Sequence, residues 1–254
     1  MTAAVLAHNT FREVTRDKLL PGAVGFGLSV LLLTRVLSPL VLGESLRLTV
    51  DLGLSSVTAF GMLVILMVGA NLVGKEIDRR TIYNLLSRPV ARPLYLVGKW
   101  AGLSAALWAV ALLLGAGLQL MVLWSGGRDH FVPVLAGLYM AGLELTVMAS
   151  LAVLFSALST PVLSALYTMA FFCAGQWSYD LREFAAQFPP ALASTTEVIA
   201  SVLPNLPLFN VRTLAAAGTA PGLLHLAIAT LYALLYAGGV LSLAAIVFET
   251  REFK

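Results

Sequence analysis

Apolar runs too long for any water-soluble core dominate this sequence. Four of them, residues 19–42, 52–73, 94–124 and 223–248, are each long enough to cross a bilayer, and residues 131–176 form a fifth, longer run. A membrane-spanning helix needs about 20 mostly apolar residues to traverse the hydrocarbon core. The longest run is broken near its middle by Ser156-Ala157-Leu158-Ser159-Thr160-Pro161, where clustered hydroxyls and a proline mark a turn. It therefore supplies two spans, 131–155 and 161–176, for a total of six. The second of these has only 16 residues, so a re-entrant hairpin is its alternative.

Composition points the same way. Of the 254 residues 59% are hydrophobic and only 11% are charged, against about 25% charged in a soluble domain. Mean hydropathy is +0.90, which excludes a water-soluble globule. The net charge of +3 reflects a few basic residues beside long apolar runs and not a nucleic-acid-binding surface. The single cysteine, Cys173, lies inside an apolar run and has no partner for an intramolecular disulfide.

No positive residue precedes the short apolar run from Ala3 to Ala7, so the N-terminus does not read as a cleaved signal and is expected to be retained. Wound as a helix, residues 1–18 place Ala3, Leu6, Ala7, Thr10, Phe11 and Val14 on one side. Arg12, Glu13, Arg16 and Asp17 fall opposite. That pattern suits a helix lying in the membrane interface.

Lysines and arginines favour the cytoplasmic side of membrane proteins. With the N-terminus inside, eleven of them fall inside: Arg12, Arg16, Lys18, Lys75, Arg79, Arg80, Arg88, Arg92, Lys99, Arg251 and Lys254. Four fall outside, Arg47, Arg128, Arg182 and Arg212, and Arg35 lies within the first span. Both termini are thus expected in the cytoplasm. The segment 74–93 is then cytoplasmic and 177–222 external. No repeat or low-complexity tail divides the chain, so residues 1–254 read as one all-α membrane domain.

Catalytic motifs are missing. There is no G-x-x-x-x-G-K-[ST] phosphate loop and no Rossmann glycine fingerprint, so the chain has no known means of splitting a nucleotide. Zinc and serine-hydrolase motifs are also absent, and His8, His130 and His225 are scattered, so no metal site and no enzyme are expected.

The informative polar stretch is cytoplasmic: Gly74-Lys75-Glu76-Ile77-Asp78-Arg79-Arg80-Thr81-Ile82-Tyr83-Asn84-Leu85-Leu86-Ser87-Arg88-Pro89-Val90-Ala91-Arg92-Pro93. Ile77, Ile82, Leu85 and Leu86 make a short apolar stripe at near-helical spacing, and Pro89 and Pro93 stop it. An ordinary headgroup-anchoring loop would account for the arginines but not for Glu76, Asp78 or the stripe.

At this stretch the sequence resembles the membrane subunits of type-2 ABC transporters, most nearly the permeases associated with multicopper-enzyme maturation. Glu76, Ile77, Arg79, Thr81, Ile82, Leu85, Leu86, Ser87, Pro89, Val90, Arg92, Gly98 and Lys99 match their run between the second and third spans. Many members have glycine where Arg80 stands. Weaker matches are Asn9-Thr10-Phe11-Arg12-Glu13 and Val202-Leu203-Pro204-Asn205-Leu206-Pro207-Leu208-Phe209-Asn210. The resemblance implies a multi-pass permease, an exporter by family expectation, that works as a homodimer with a separate ATP-binding subunit. ATP and magnesium would belong to that partner. It further implies a coupling helix in which Glu76, Asp78, Arg79, Arg80 and Thr81 orient the partner while Tyr83, Leu85 and Leu86 insert into its groove.

Two ionisable residues lie within spans, where such groups are functional candidates by default. Glu144 is expected roughly 20 Å into its span and Arg35 about 12 Å from the outer end of its own, close enough for an arginine arm to bridge the difference. A pair between them is one expectation. The other is that Arg35 snorkels outward while Glu144 hydrogen-bonds a neighbouring span. Gly98 and Gly102 form a G-x-x-x-G that permits close helix contact, within one subunit or between two. Outside, residues 178–186 and 193–202 are expected to be short helices over the outer mouth, as a gate or as a passive connector. A function of a different class, a scaffold that recruits a soluble partner without transport, fits the same cytoplasmic segment.

Overall fold

The computed structural model describes residues 3–17, 19–37, 45–72, 92–179 and 201–250. Eight α-helices are described: α1 (Ala3–Arg16), α2 (Leu19–Leu37), α3 (Ser45–Met67), α4 (Arg92–Trp124), α5 (Phe131–Leu158), α6 (Pro161–Gln176), α7 (Arg212–Ala216) and α8 (Leu223–Thr250). Short 3-10 turns stand at Gly69–Asn71, Arg128–His130 and Leu206–Phe209, and there is no β-strand among the described residues. In hydrocarbon, helices associate through close packing and hydrogen bonds, so small residues mark where they meet.

Those meeting points fix the direction of each helix. Leu118 of α4 covers Gly53 of α3 and Leu103 of α4 covers Gly69, which makes α3 and α4 antiparallel. Leu54 of α3 lies on Gly137 of α5 and Leu145 of α5 lies on Gly61 of α3, so these two run parallel. Leu138 on Gly115 and Trp108 on Gly142 reverse α5 relative to α4. The Tyr139–Thr230 hydroxyl pair, at 2.7 Å, and the cluster of Val153 and Ala157 with Ala244 and Phe248 further along align α8 with α5. Thus α3, α5 and α8 point one way and α2, α4 and α6 the other, as alternating passage through a membrane requires.

Among the described residues, four helical stretches are long and apolar enough to cross a membrane: Ser45–Asn71, Pro93–Trp124, Arg128–Leu158 and Leu223–Phe248. A fifth is reached only by joining α1 to the start of α2 across a 60° bend. The expectation of six full spans is not met by α6, whose 16 residues reach only about 24 Å at 1.5 Å per residue. Pro161 sets its start, at the first helical turn where the missing N–H costs nothing.

Helix α5 is the axis of the bundle. Nearly every residue from Gly137 to Ala157 is buried, enclosed by α3, α4, α6 and α8. Trp108 of α4 donates to the Thr146 hydroxyl at 3.1 Å, and Trp100 donates to the Thr146 carbonyl at 3.1 Å. By contrast α8 turns Leu224, Ile228, Leu231, Leu235 and Leu243 outward, a face suited to lipid.

The N-terminal helix does more than rest at an interface. Its apolar face is the one the sequence predicts, and Leu6, Thr10 and Val14 are buried. They lie against the start of α4, where Gly98 and Gly102 leave room: a Cβ on Gly98 would stand 2.7 Å from Leu6 Cβ, and one on Gly102 would stand 2.5 Å from the Ala7 carbonyl oxygen. The G-x-x-x-G therefore serves contact within the subunit. Leu6 shares a core with Tyr95 and Leu96 of α4, Val153 and Ala157 of α5, and Ala244 and Phe248 of α8. Helix α1, the start of α4 and the ends of α5 and α8 thus occupy one end of the bundle. The opposite end holds the start of α3 against the α4–α5 turn, where Leu46 packs on Gly127.

Candidate functional site

A carboxylate on the central helix is the most demanding group in the bundle. Glu144 is only 2% exposed, and a charged group at that depth costs several kcal/mol unless neighbours satisfy it. It lies about 20 Å from either end of α5, at the mid-depth that the sequence predicts. Three other elements supply its surroundings. Gln176, the last residue of α6, donates its amide to Oε1 at 2.6 Å. Thr58 of α3 donates its hydroxyl to Oε2 at 3.4 Å, a weaker bond. Arg212, which opens α7, carries the cationic charge that acts on Glu144 and donates to the Ser55 hydroxyl at 3.0 Å.

Ser55 and Thr58 are three residues apart on α3 and so share one face, with about 4.5 Å between them along the axis. Arg212 is therefore held about one turn from the Thr58–Glu144 contact. Carboxylate, amide, two hydroxyls and a guanidinium converge here from α3, α5, α6 and α7.

The position of Gln176 also settles the course of α6. Running back along α5, this helix ends level with Glu144, half-way through the bundle, and so traverses only half of it. Residues 201–216 do not simply lie over the end of the bundle. Leu206 and Pro204 close onto Gly175 near the end of α6, and Leu206, Phe209, Val211 and Ala215 are all buried. Three side chains of α8 tie this segment down by its backbone. Tyr232 Oη accepts from the Asn205 amide at 2.8 Å, Tyr236 Oη donates to the Val202 carbonyl at 2.9 Å, and His225 Nε2 meets the Leu208 carbonyl at 3.1 Å. Residues 201–216 thus form a re-entrant segment that dips into the bundle from the end opposite α1.

Of the residues singled out in the sequence, Glu144 is placed in full. Arg35 lies in the last turn of α2, and its side chain is outside the described residues. The cation described beside Glu144 is Arg212, and the carboxylate accepts its hydrogen bonds from Thr58 and Gln176 of neighbouring helices. The coupling residues Glu76, Asp78, Arg79, Arg80, Thr81, Tyr83, Leu85 and Leu86 lie outside the described residues, as do 180–200, which include most of the two expected external helices. Arg212, Gln176 and Thr58 do not stand out in the sequence as partners of Glu144. The available signal is the apolar character of Leu206-Pro207-Leu208-Phe209 in a segment assigned to the outside.

Compared with known families, residues 5–252 match the model of the ABC-2 family transporter protein. The chain belongs to the ABC-2 transporter family. The match runs through α1, the membrane helices and the re-entrant segment, so the whole described bundle is one multi-pass ABC-2 membrane domain. No curated protein matches the sequence.

Proposed function

We propose that this ABC-2 protein is the membrane-spanning permease subunit of an ATP-driven exporter, with ATP binding and hydrolysis supplied by a separate subunit and with a second copy of the permease completing the pathway. What supports it is the family match along 5–252 in a chain whose sequence carries no phosphate loop of its own. The chain crosses the membrane six times on this reading, the fifth time through α6 and the re-entrant segment, with both termini and the 74–93 segment in the cytoplasm of a bacterial cell. Helix ends that carry α1 and Lys99 form the inner end; the α4–α5 turn and the re-entrant segment form the outer.

The work of transport then divides by position. The 76–86 stretch receives the ATPase, and the start of α4 takes up its motion together with α1 docked upon it. At the other end, the re-entrant segment closes the outer mouth over the polar centre at Glu144. Purifying the chain from its native membrane and identifying its partner tests this directly. A phosphate-loop ATPase recovered with it, whose hydrolysis drives a solute across reconstituted vesicles, is the expected result. Recovery of a non-ATPase partner alone, without transport, would favour the scaffold.

A further inference from the structure

Glu144 occupies a place where three separate pieces of chain meet the central helix, two of them bonded to its carboxylate and the third to Ser55 one turn away. Gln176 ends α6, which traverses only half the bundle. Arg212 opens α7, at the far end of the re-entrant segment. Ser55 and Thr58 belong to α3, which is packed along α5 through Gly61 and Gly137. The two gating pieces, α6 and the segment 201–216, are also joined to each other near this point, by Leu206 on Gly175 and by the Ser178 hydroxyl at 3.4 Å from Asn205 Oδ1.

Two features bear on how these pieces could move. The fully buried face of α6 is made of small or polar residues, Ser164, Thr168 and Gly175, while its apolar contact with α5 is through Tyr167 and Phe171 on Phe155. Beside α6, between α5 and α8, lies an apolar groove of about 480 Å³ bordered by Leu154, Phe155, Phe171, Val202 and Tyr236. A tilt of α6 into that groove would break the Gln176–Glu144 bond without exposing apolar surface to water.

We propose that Glu144 is the fixed half of a latch that keeps the outer mouth shut. Gln176, on the half-helix, is its movable half, and Arg212, bonded to Ser55 of α3, holds the re-entrant segment beside it. Glu144 is on this account a positioning residue. Opening requires Gln176 to leave Glu144 and Arg212 to leave Ser55 together, because Leu206 and Asn205 tie the segment to the end of α6. The proposal deepens the transport reading, in which the outer mouth must open, by assigning the residues that hold it closed.

The test is a thiol-accessibility measurement in intact cells. With Cys173→Ser removing the native thiol, Ala215→Cys places a reporter on the fully buried face of α7, and a membrane-impermeant maleimide is added from outside. Slow labelling is expected in this parent. Gln176→Leu and Arg212→Met should each speed labelling by about tenfold or more, the factor corresponding to 1.4 kcal/mol, since a hydrogen bond to a charged group is worth at least that much. Gln176→Asn, which only shortens the arm, should fall between and serves if the larger change fails to fold.

The exchange Glu144→Gln with Gln176→Glu restores an amide–carboxylate bond with its ends reversed and should return labelling toward the parental rate. Unchanged labelling in the single variants would overturn the latch, as would an exchanged pair that labels as fast as either half alone. Labelling needs no ATP and no substrate, so it is read even if no ATPase partner is found. An ATPase that co-purifies while labelling stays unchanged would overturn the latch and leave the permease reading standing.

Discussion

Lys99 of α4 meets Glu13 of α1 at 3.3 Å, and the two ends of the bridge differ sharply in environment: the lysine side chain is 5% exposed and the glutamate 55%. The lysine is thus committed to a site that the glutamate visits from the surface. Its ammonium also lies 5.9 Å from the centre of the Tyr95 ring. An exposed ion pair is worth little, but a buried cation that loses one of its charged partners is less well satisfied. Glu13→Gln should therefore destabilise by about 1–2 kcal/mol, whereas Lys99→Met, which fills the same space without charge, should cost less. Thermal unfolding in detergent of the two variants gives the order. A larger loss for Lys99→Met would mean that the lysine's other contacts, and not Glu13, set its energy.

The docking of α1 rests on missing side-chain volume at Gly98 and Gly102. Gly102→Val puts a branched side chain where the Ala7 carbonyl and Thr10 stand, and overpacking of this kind typically costs about 1–3 kcal/mol. Helix α1 should leave α4 while the bundle remains inserted. Protease cleavage after Arg12 or Arg16 reports this, and cleavage as slow as in the native chain would show that α1 is held elsewhere.

The strength of each local signal decides how much of this arrangement is legible in the sequence. Long apolar runs locate α2, α3, α4, α5 and α8, because hydrocarbon accepts no other way of satisfying the backbone. The turn at Ser156–Pro161 is readable from proline and hydroxyl chemistry. Periodicity gives the buried face of α1 through Leu6, Thr10 and Val14, but it cannot name the surface that covers that face. Gly98 and Gly102 fit contact inside or between subunits equally well. The partners of Glu144 are unreadable for a different reason. Gln176 and Thr58 are ordinary residues at the end of one run and the middle of another, and Arg212 counts only as an outer charge. Depth along neighbouring helices brings them together, and sequence spacing does not report it.

The cation acting on Glu144 can be identified energetically. Arg212 and Glu144 belong to one network, so Glu144→Gln and Arg212→Met should be non-additive, with a coupling of about 1–2 kcal/mol. The cycle with Arg35→Met should be additive within about 0.5 kcal/mol. Unfolding of the single and double variants in detergent supplies both cycles. Coupling to Arg35 and none to Arg212 would instead assign the cation to Arg35, the pair expected from the sequence.

Topology is testable through the ends of the bundle. Helix α1 and the end of α8 share one apolar cluster through Leu6 and Phe248, so reporters fused near residue 3 and after Lys254 should lie on the same side. The excess of Lys and Arg expected at that end predicts that it faces inside. A reporter inserted after Ser87 should also be cytoplasmic and one near Ser194 external. An external signal from the Ser87 insertion would remove any contact between the 74–93 segment and a cytoplasmic ATPase.

The 74–93 segment, proposed to receive the ATPase, gives the most consequential expectation, because the helices on either side of it are packed together. Gly69, just beyond α3, receives Leu103 of α4 and lies near Ala152 of α5. Ser156 of α5 donates to the Ala70 carbonyl at 2.9 Å. A force applied between residues 72 and 92 is thus delivered to α3, α4 and the central helix at once. Reversing Glu76 and Asp78 to lysine sets like charges against a groove expected to be basic, and such juxtaposition costs several kcal/mol at an interface. Replacing Leu85 and Leu86 by alanine removes apolar anchors instead, at about 1–3 kcal/mol each if they sit at the centre of the contact. Neither change touches a membrane helix, and neither lowers the positive count at the inner end, so expression and insertion should be preserved. Both should weaken co-purification of the ATPase and uncouple its hydrolysis from transport in reconstituted membranes. Native values of both quantities in the charge-reversed and double-leucine variants would show that the ATPase grips the permease elsewhere.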